Sequence, residues 1–85
     1  MGVITLLTDF GTTDGYVGAM RGVILRLNAG VTIVDIGHDI AAQDVPAAAF
    51  VISTAYPYFP AGTIHVVVVD PGVGGTRRAL AVHTP

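Results

Sequence analysis

The chain has 85 residues, a formal net charge of −2, and a composition that is 52% apolar but only 12% charged. All six acids are Asp and all four fixed bases are Arg, which leaves no broad basic surface for nucleic acid, and the absence of cysteine excludes disulfides and thiolate metal sites. The apolar runs are too short to span a bilayer and the N-terminus lacks the basic flank and cleavage site of a secretion signal, so no membrane contact and a cytoplasmic location are expected.

A chain of this length buries roughly 60–65% of the surface that its unfolded form exposes. That is a thin margin for so apolar a sequence. The excess apolar surface is expected to be covered by later elements of a longer polypeptide, or failing that by association with other chains.

Val3 to Thr8 is an apolar, β-branched run that reads as a buried strand. From Asp14 to Asn28 the period becomes helical: Tyr16, Met20, Val23 and Leu27 share one face, with Val17 and Ile24 beside it. Thr13 or Asp14 can cap this helix, and Gly30 marks its stop. Val31 to Ile36 is a second strand, followed by a connection that ends at Asp44, an N-cap with Pro46 in the first turn. The second helix runs to about Ala55 and is apolar on nearly all sides, so it should lie between the sheet and another layer. The Tyr56–Pro60 segment breaks it, Thr63 to Val69 is a third strand marked as central by four consecutive valines, and Ala79 to Thr84 is a fourth of undetermined direction.

This order implies an α/β fold: a βαβαβ(β) three-layer unit with a mainly parallel sheet and right-handed crossovers. Parallel connectivity brings Asp9, the turn at 37–39 and Asp70 to one sheet edge, where open α/β sheets bind ligands. Asp9 is followed by the small residues of a βα loop, and its carboxylate suits two adjacent hydroxyls such as a ribose diol; an Asp that caps its own turn is the alternative. Asp70 opens a Gly-rich segment in which Arg77 can fold back on it, either to hold an ionised carboxylate that orients water or simply to pin a turn. That segment lacks Walker A spacing and its lysine, and Arg77 occupies the third-glycine position of a dinucleotide fingerprint, so neither a triphosphate nor NAD is expected. Gly15, Gly18 and Gly22 form a stripe on the first helix, expected to permit close packing rather than ligand contact. His38 and His65 have no metal-ligand spacing, and Tyr56, Tyr58 and Phe59 are expected to cover the core.

The run Ile4 to Gly22, with Val34–Ile40, Gln43–Val45, Ala55–Thr63 and Val68–Gly74, closely resembles the start of the S-adenosyl-L-methionine hydrolase family, the hydroxide adenosyltransferases related to fluorinating and chlorinating enzymes. The resemblance implies that residues 1–85 are part of an N-terminal α/β domain, with the rest of it and a second, β-rich domain absent from this chain. It implies a homotrimer with substrate between subunits, and attack of water on ribose C5′ of S-adenosylmethionine without a cofactor. By position, Asp70 and Arg77 match two members of an Asp-Arg-His water-activating group whose His would lie beyond Pro85. The 85 residues alone are therefore expected to be inactive. Asp9 matches the carboxylate that holds the ribose hydroxyls, Asp14 a position near the methionine portion, and Gln43 a position lining the substrate. The fluorinating relatives carry Tyr where this chain has Asp70 and Thr where it has Val73; an anionic Asp repels halide and Val offers it no hydrogen bond, which favours hydrolysis over halogenation. A non-catalytic adenosine-binding module is the other alternative.

Overall fold

The structure, a computed structural model, describes residues 2–69 and, as backbone, the strand at 78–83. Its elements follow in the order β1 (Val3–Thr8), α1 (Tyr16–Leu27), β2 (Thr32–Gly37), α2 (Val45–Ala55), a short 3-10 turn (Tyr56–Tyr58), β3 (Ile64–Val69) and β4 (Arg78–His83). The four strands form one sheet in the order β2-β1-β3-β4. β1 lies parallel to both β2 and β3, while β4 is antiparallel to β3. The expected βαβαβ unit is therefore present, and the valine-rich strand is interior.

The two crossovers run in opposite directions, from β1 out to β2 and from β2 back past β1 to β3. With right-handed connections this puts the helices on opposite faces. Side-chain alternation agrees. Leu7, Val67 and Val69 share a face with α2, where Leu7, Ala48 and Val69 form a core flanked by Ile36, Ile40, Val51 and Ile52. The other face carries Leu6, Thr8 and Val68, all buried, and Asp35, which Arg21 of α1 reaches. Burying each of the two leucine side chains is worth about 1.5–3 kcal/mol, which makes β1 the spine of the domain.

α2 begins as its sequence dictates: the Asp44 carboxylate accepts the Ala47 N–H at 3.0 Å and Pro46 occupies the first turn. α1 differs from expectation in two respects. Gly15 is the N-cap, and Asp14 acts one position earlier by accepting the Tyr16 N–H. The half-buried apolar residues are Val17, Met20 and Ile24, whereas Tyr16, Val23 and Leu27 are 66%, 54% and 82% exposed. The helix carries two adjacent apolar stripes, and the one holding Val17, Met20 and Ile24 is turned inward, on the side from which Arg21 pairs with Asp35.

The glycine stripe does not serve close packing among the described residues, since a Cβ at Gly15, Gly18 or Gly22 would meet nothing within 4 Å. The outer side of α2 is likewise uncovered, with Phe50 69% exposed. Tyr56 and Phe59 cover the core as expected, edge-on to His65, but Tyr58 points outward. No helix among the described residues is long and apolar enough to cross a membrane.

Candidate functional site

In the order β2-β1-β3, the chain leaves the carboxyl ends of β1 and β3 in opposite directions, which makes the β1/β3 boundary the switch point where doubly wound sheets open a crevice. Asp9 stands there. Its N–H donates to the Val68 carbonyl of β3 at 3.2 Å, which carries the β1–β3 ladder one residue beyond β1, and its side chain is half-buried.

The loop after Asp9 is fastened to its surroundings at each step. Phe10 N–H donates to Thr8 Oγ1 at 3.1 Å, and Gly11 N–H donates to the His38 carbonyl at 2.7 Å. Gly11 has φ +74°, a left-handed conformation in which glycine avoids the strain of a Cβ. Ile40 N–H closes the circuit by donating to the Thr8 carbonyl at 3.3 Å. The loops after β1 and β2 are thus one hydrogen-bonded unit, as the parallel topology predicts for Asp9 and the turn at 37–39.

His38 is the hub of that unit and is 6% exposed. Its Nδ1 lies 2.7 Å from Thr8 Oγ1 and its Nε2 lies 2.9 Å from Asp35 Oδ1, while Arg21 Nη1 donates to Asp35 Oδ2 at 2.7 Å. Residues 35 and 38 would face opposite sides of a regular strand. A register shift in β2 opposite Leu6 and Leu7 supplies the extra residue that lets both reach the α1 side. Partial desolvation works to raise the Asp35 pKa, but the His38 hydrogen bond and the Arg21 charge outweigh it and hold the carboxyl below its ordinary value.

Gln43 lies in the same β2–α2 connection, exposed, with φ +68°. Its carbonyl accepts the Val45 N–H at 3.1 Å across Asp44, whose φ of −93° and ψ of 72° form an inverse γ-turn. A left-handed Gln costs about 1–2 kcal/mol, and such strain concentrates at ligand-binding segments. Asp14 is exposed at the start of α1 with one carboxylate oxygen engaged by Tyr16 N–H. The other three expected site residues, Asp70, Val73 and Arg77, lie outside the described residues.

His65 is a separate case. It is wholly buried on the α2 side near the amino end of β3, with Nδ1 2.7 Å from Thr5 Oγ1 and no hydrogen-bond partner for Nε2 among the described residues. Burial pushes its pKa below the ordinary value. It is a core histidine, remote from the carboxyl edge. No group of three or more His, Asp or Glu side chains among the described residues is gathered as a metal ion would require.

The His38 hub is not apparent from the sequence. Its members stand 3, 14 and 30 residues apart, and the available signal was an Asp inside the apolar strand Thr32–Gly37 and a Thr at the end of β1.

Comparison with known proteins agrees with this architecture. The (R)-S-adenosyl-L-methionine hydrolase of Methanocaldococcus jannaschii is 46% identical across 96% of this chain and 32% of that protein. The enzyme of the same name from Salinispora tropica is 44% identical across 93% of the chain and 30% of that protein, and fluorinases match at lower identity. A crystal structure of an uncharacterized conserved protein from Thermotoga maritima superposes with a TM-score of 0.78 at 42% identity, covering 84% of this chain and 27% of that one. The chain thus spans about a third of the length of these curated relatives. The sequence model of the SAM hydroxide adenosyltransferase N-terminal domain matches residues 4–85, and the chain belongs to that family.

Proposed function

We propose that the full-length protein hydrolyses S-adenosyl-L-methionine to adenosine and L-methionine. The observation that carries this reading is the place of Asp9: a carboxylate at the switch point of the sheet, its backbone tied to β3 and to the loop after β2. A nucleoside ribose offers two adjacent hydroxyls, and a carboxylate has two oxygens that accept them. In this reading Asp14 lies toward the methionine portion, while Gln43 and Val73 line the substrate.

The chemistry needs little from the leaving group. As water oxygen bonds to C5′, the C5′–S bond breaks and its electron pair returns to sulfur, so the sulfonium departs as the neutral thioether of methionine and takes no proton. The nucleophile carries the difficulty. Water must be held in line behind C5′ and give up a proton, and this is the role proposed for Asp70 and Arg77 with a His beyond Pro85. In this reading Arg77 holds the Asp70 carboxylate as an anion that orients the water, and the proton lost as the C5′–O bond forms passes through this group to solvent. The reaction consumes no cofactor.

Hydrolysis is preferred to halogenation because Asp70 brings negative charge where a halide would have to sit, and Val73 has no hydroxyl to bind it. Trimeric assembly with the substrate between subunits is part of the same reading.

Incubating the full-length protein with S-adenosylmethionine should release adenosine and methionine in equal amounts, and added chloride or fluoride should yield no 5′-halogenated nucleoside. Asp70→Asn should abolish turnover and leave substrate binding intact. Tight binding of substrate without adenosine release would instead identify a binding module.

A further inference from the structure

Behind Asp9 lies a directed chain of polar groups that the reaction itself does not use. Asp35 accepts only, so the imidazole proton facing it belongs on Nε2 of His38, at 2.9 Å. In the neutral ring this leaves Nδ1 as an acceptor, and Thr8 Oγ1 donates to it at 2.7 Å. The hydroxyl oxygen is then oriented to accept the Phe10 N–H, while the His38 carbonyl accepts the Gly11 N–H. Arg21 fixes the far end by donating to Asp35.

Three successive amides, those of Asp9, Phe10 and Gly11, are therefore held by Val68, Thr8 and His38. Two of the three anchors depend on where His38 sits. Thr8 is wholly buried and His38 nearly so, so water does not compete for these bonds. The outer pair is different: Arg21 and Asp35 are more than a third exposed, and such pairs contribute little stability. The worth of the chain is geometric. A carboxylate gripping a vicinal diol must present both oxygens at once, which tolerates a displacement of about 0.5 Å at most.

We propose that Thr8, His38 and Asp35 are positioning residues that fix the backbone of residues 9–11 and thereby aim the Asp9 carboxylate at the 2′,3′-diol of a nucleoside ligand. This rests on the reading of Asp9 as the diol acceptor. It adds three residues that act through the backbone of Asp9, whose removal should erase selectivity for the diol and not affinity for the base.

Calorimetry on the full-length protein with adenosine and 2′,3′-dideoxyadenosine tests it. Thr8→Val should weaken adenosine binding about tenfold, the usual loss when a hydrogen bond to a charged group is spoiled, while dideoxyadenosine binding stays within about twofold and Thr8→Ser restores the preference. Asp35→Ala, on a half-exposed side chain whose ion pair with Arg21 contributes little stability, is the second variant and should reduce the same preference. Asp9→Asn separates the two levels of argument. If it leaves the preference for adenosine unchanged, the reading of Asp9 falls, and the proposal with it. If Asp9→Asn removes the preference but Thr8→Val and Asp35→Ala keep it, the positioning proposal alone is overturned. Equal weakening of both ligands by Thr8→Val and Asp35→Ala likewise overturns it, since that is a general structural loss.

Discussion

Thr5→Val removes one hydroxyl from a wholly buried position while nearly preserving side-chain shape, and the structure fixes what this should cost. Thr5 Oγ1 lies 2.7 Å from His65 Nδ1 with both side chains fully buried, and His65 Nε2 already lacks a partner among the described residues. Deleting the hydroxyl leaves the imidazole with no partner on either nitrogen among the described residues, a loss of roughly 1–3 kcal/mol. Replacing both members, Thr5→Val with His65→Leu, removes the unsatisfied group together with its partner and should cost less than the sum of the single changes.

The same pair governs acid stability. Burial opposes the charged imidazole, so the folded-state pKa of His65 is depressed below 6.5. The unfolded chain then binds the proton more tightly. Its contribution is present in full above about 6.5 and is lost as pH falls from there toward the folded-state value. Urea denaturation of the full-length protein, followed by far-ultraviolet circular dichroism at about pH 7.5 and about pH 5.5, measures both effects. Thr5→Val should be less stable at either pH, and His65→Leu should lose part of the acid-dependent decline. Strictly additive single and double variants, or an unchanged pH slope in His65→Leu, would refute the reasoning.

Two further outcomes follow from local geometry. Asp44→Ala removes the carboxylate that accepts the Ala47 N–H and should cost about 1 kcal/mol in urea denaturation. Gln43→Gly relieves a strain of about 1–2 kcal/mol at the cost of roughly 0.5–1 kcal/mol of added chain entropy, so stability should rise slightly. If Gln43 lines the substrate, KM for S-adenosylmethionine should nevertheless increase in steady-state assays.

The legible part of this molecule is what short-range chemistry determines. β1 could be delimited from its apolar run because both of its faces are buried, and α2 from Asp44 and Pro46 because capping is local. The direction of β4 was not readable, because strand composition is the same for either direction and the pairing partner decides. The inward face of α1 is hidden in the sequence for a related reason. Two apolar stripes compete, and which of them packs depends on the sheet the helix meets, where Arg21 reaches Asp35 14 residues further along the chain. At the site, Asp9 was legible as a carboxylate at a strand's end, whereas the His38 hub was not: it depends on a register shift in β2 that brings Asp35 and His38 to one side. The backbone of Gln43 was equally hidden, since nothing in a Gln announces a positive φ.

The central claim, that water attacks C5′ of a ribose held by Asp9, is tested most directly by running the reaction of the full-length protein in water enriched in oxygen-18. The account predicts that the adenosine formed carries one labelled oxygen at its 5′-hydroxyl and that the methionine carries none. Adenosine released without label, or no adenosine at all, would contradict it.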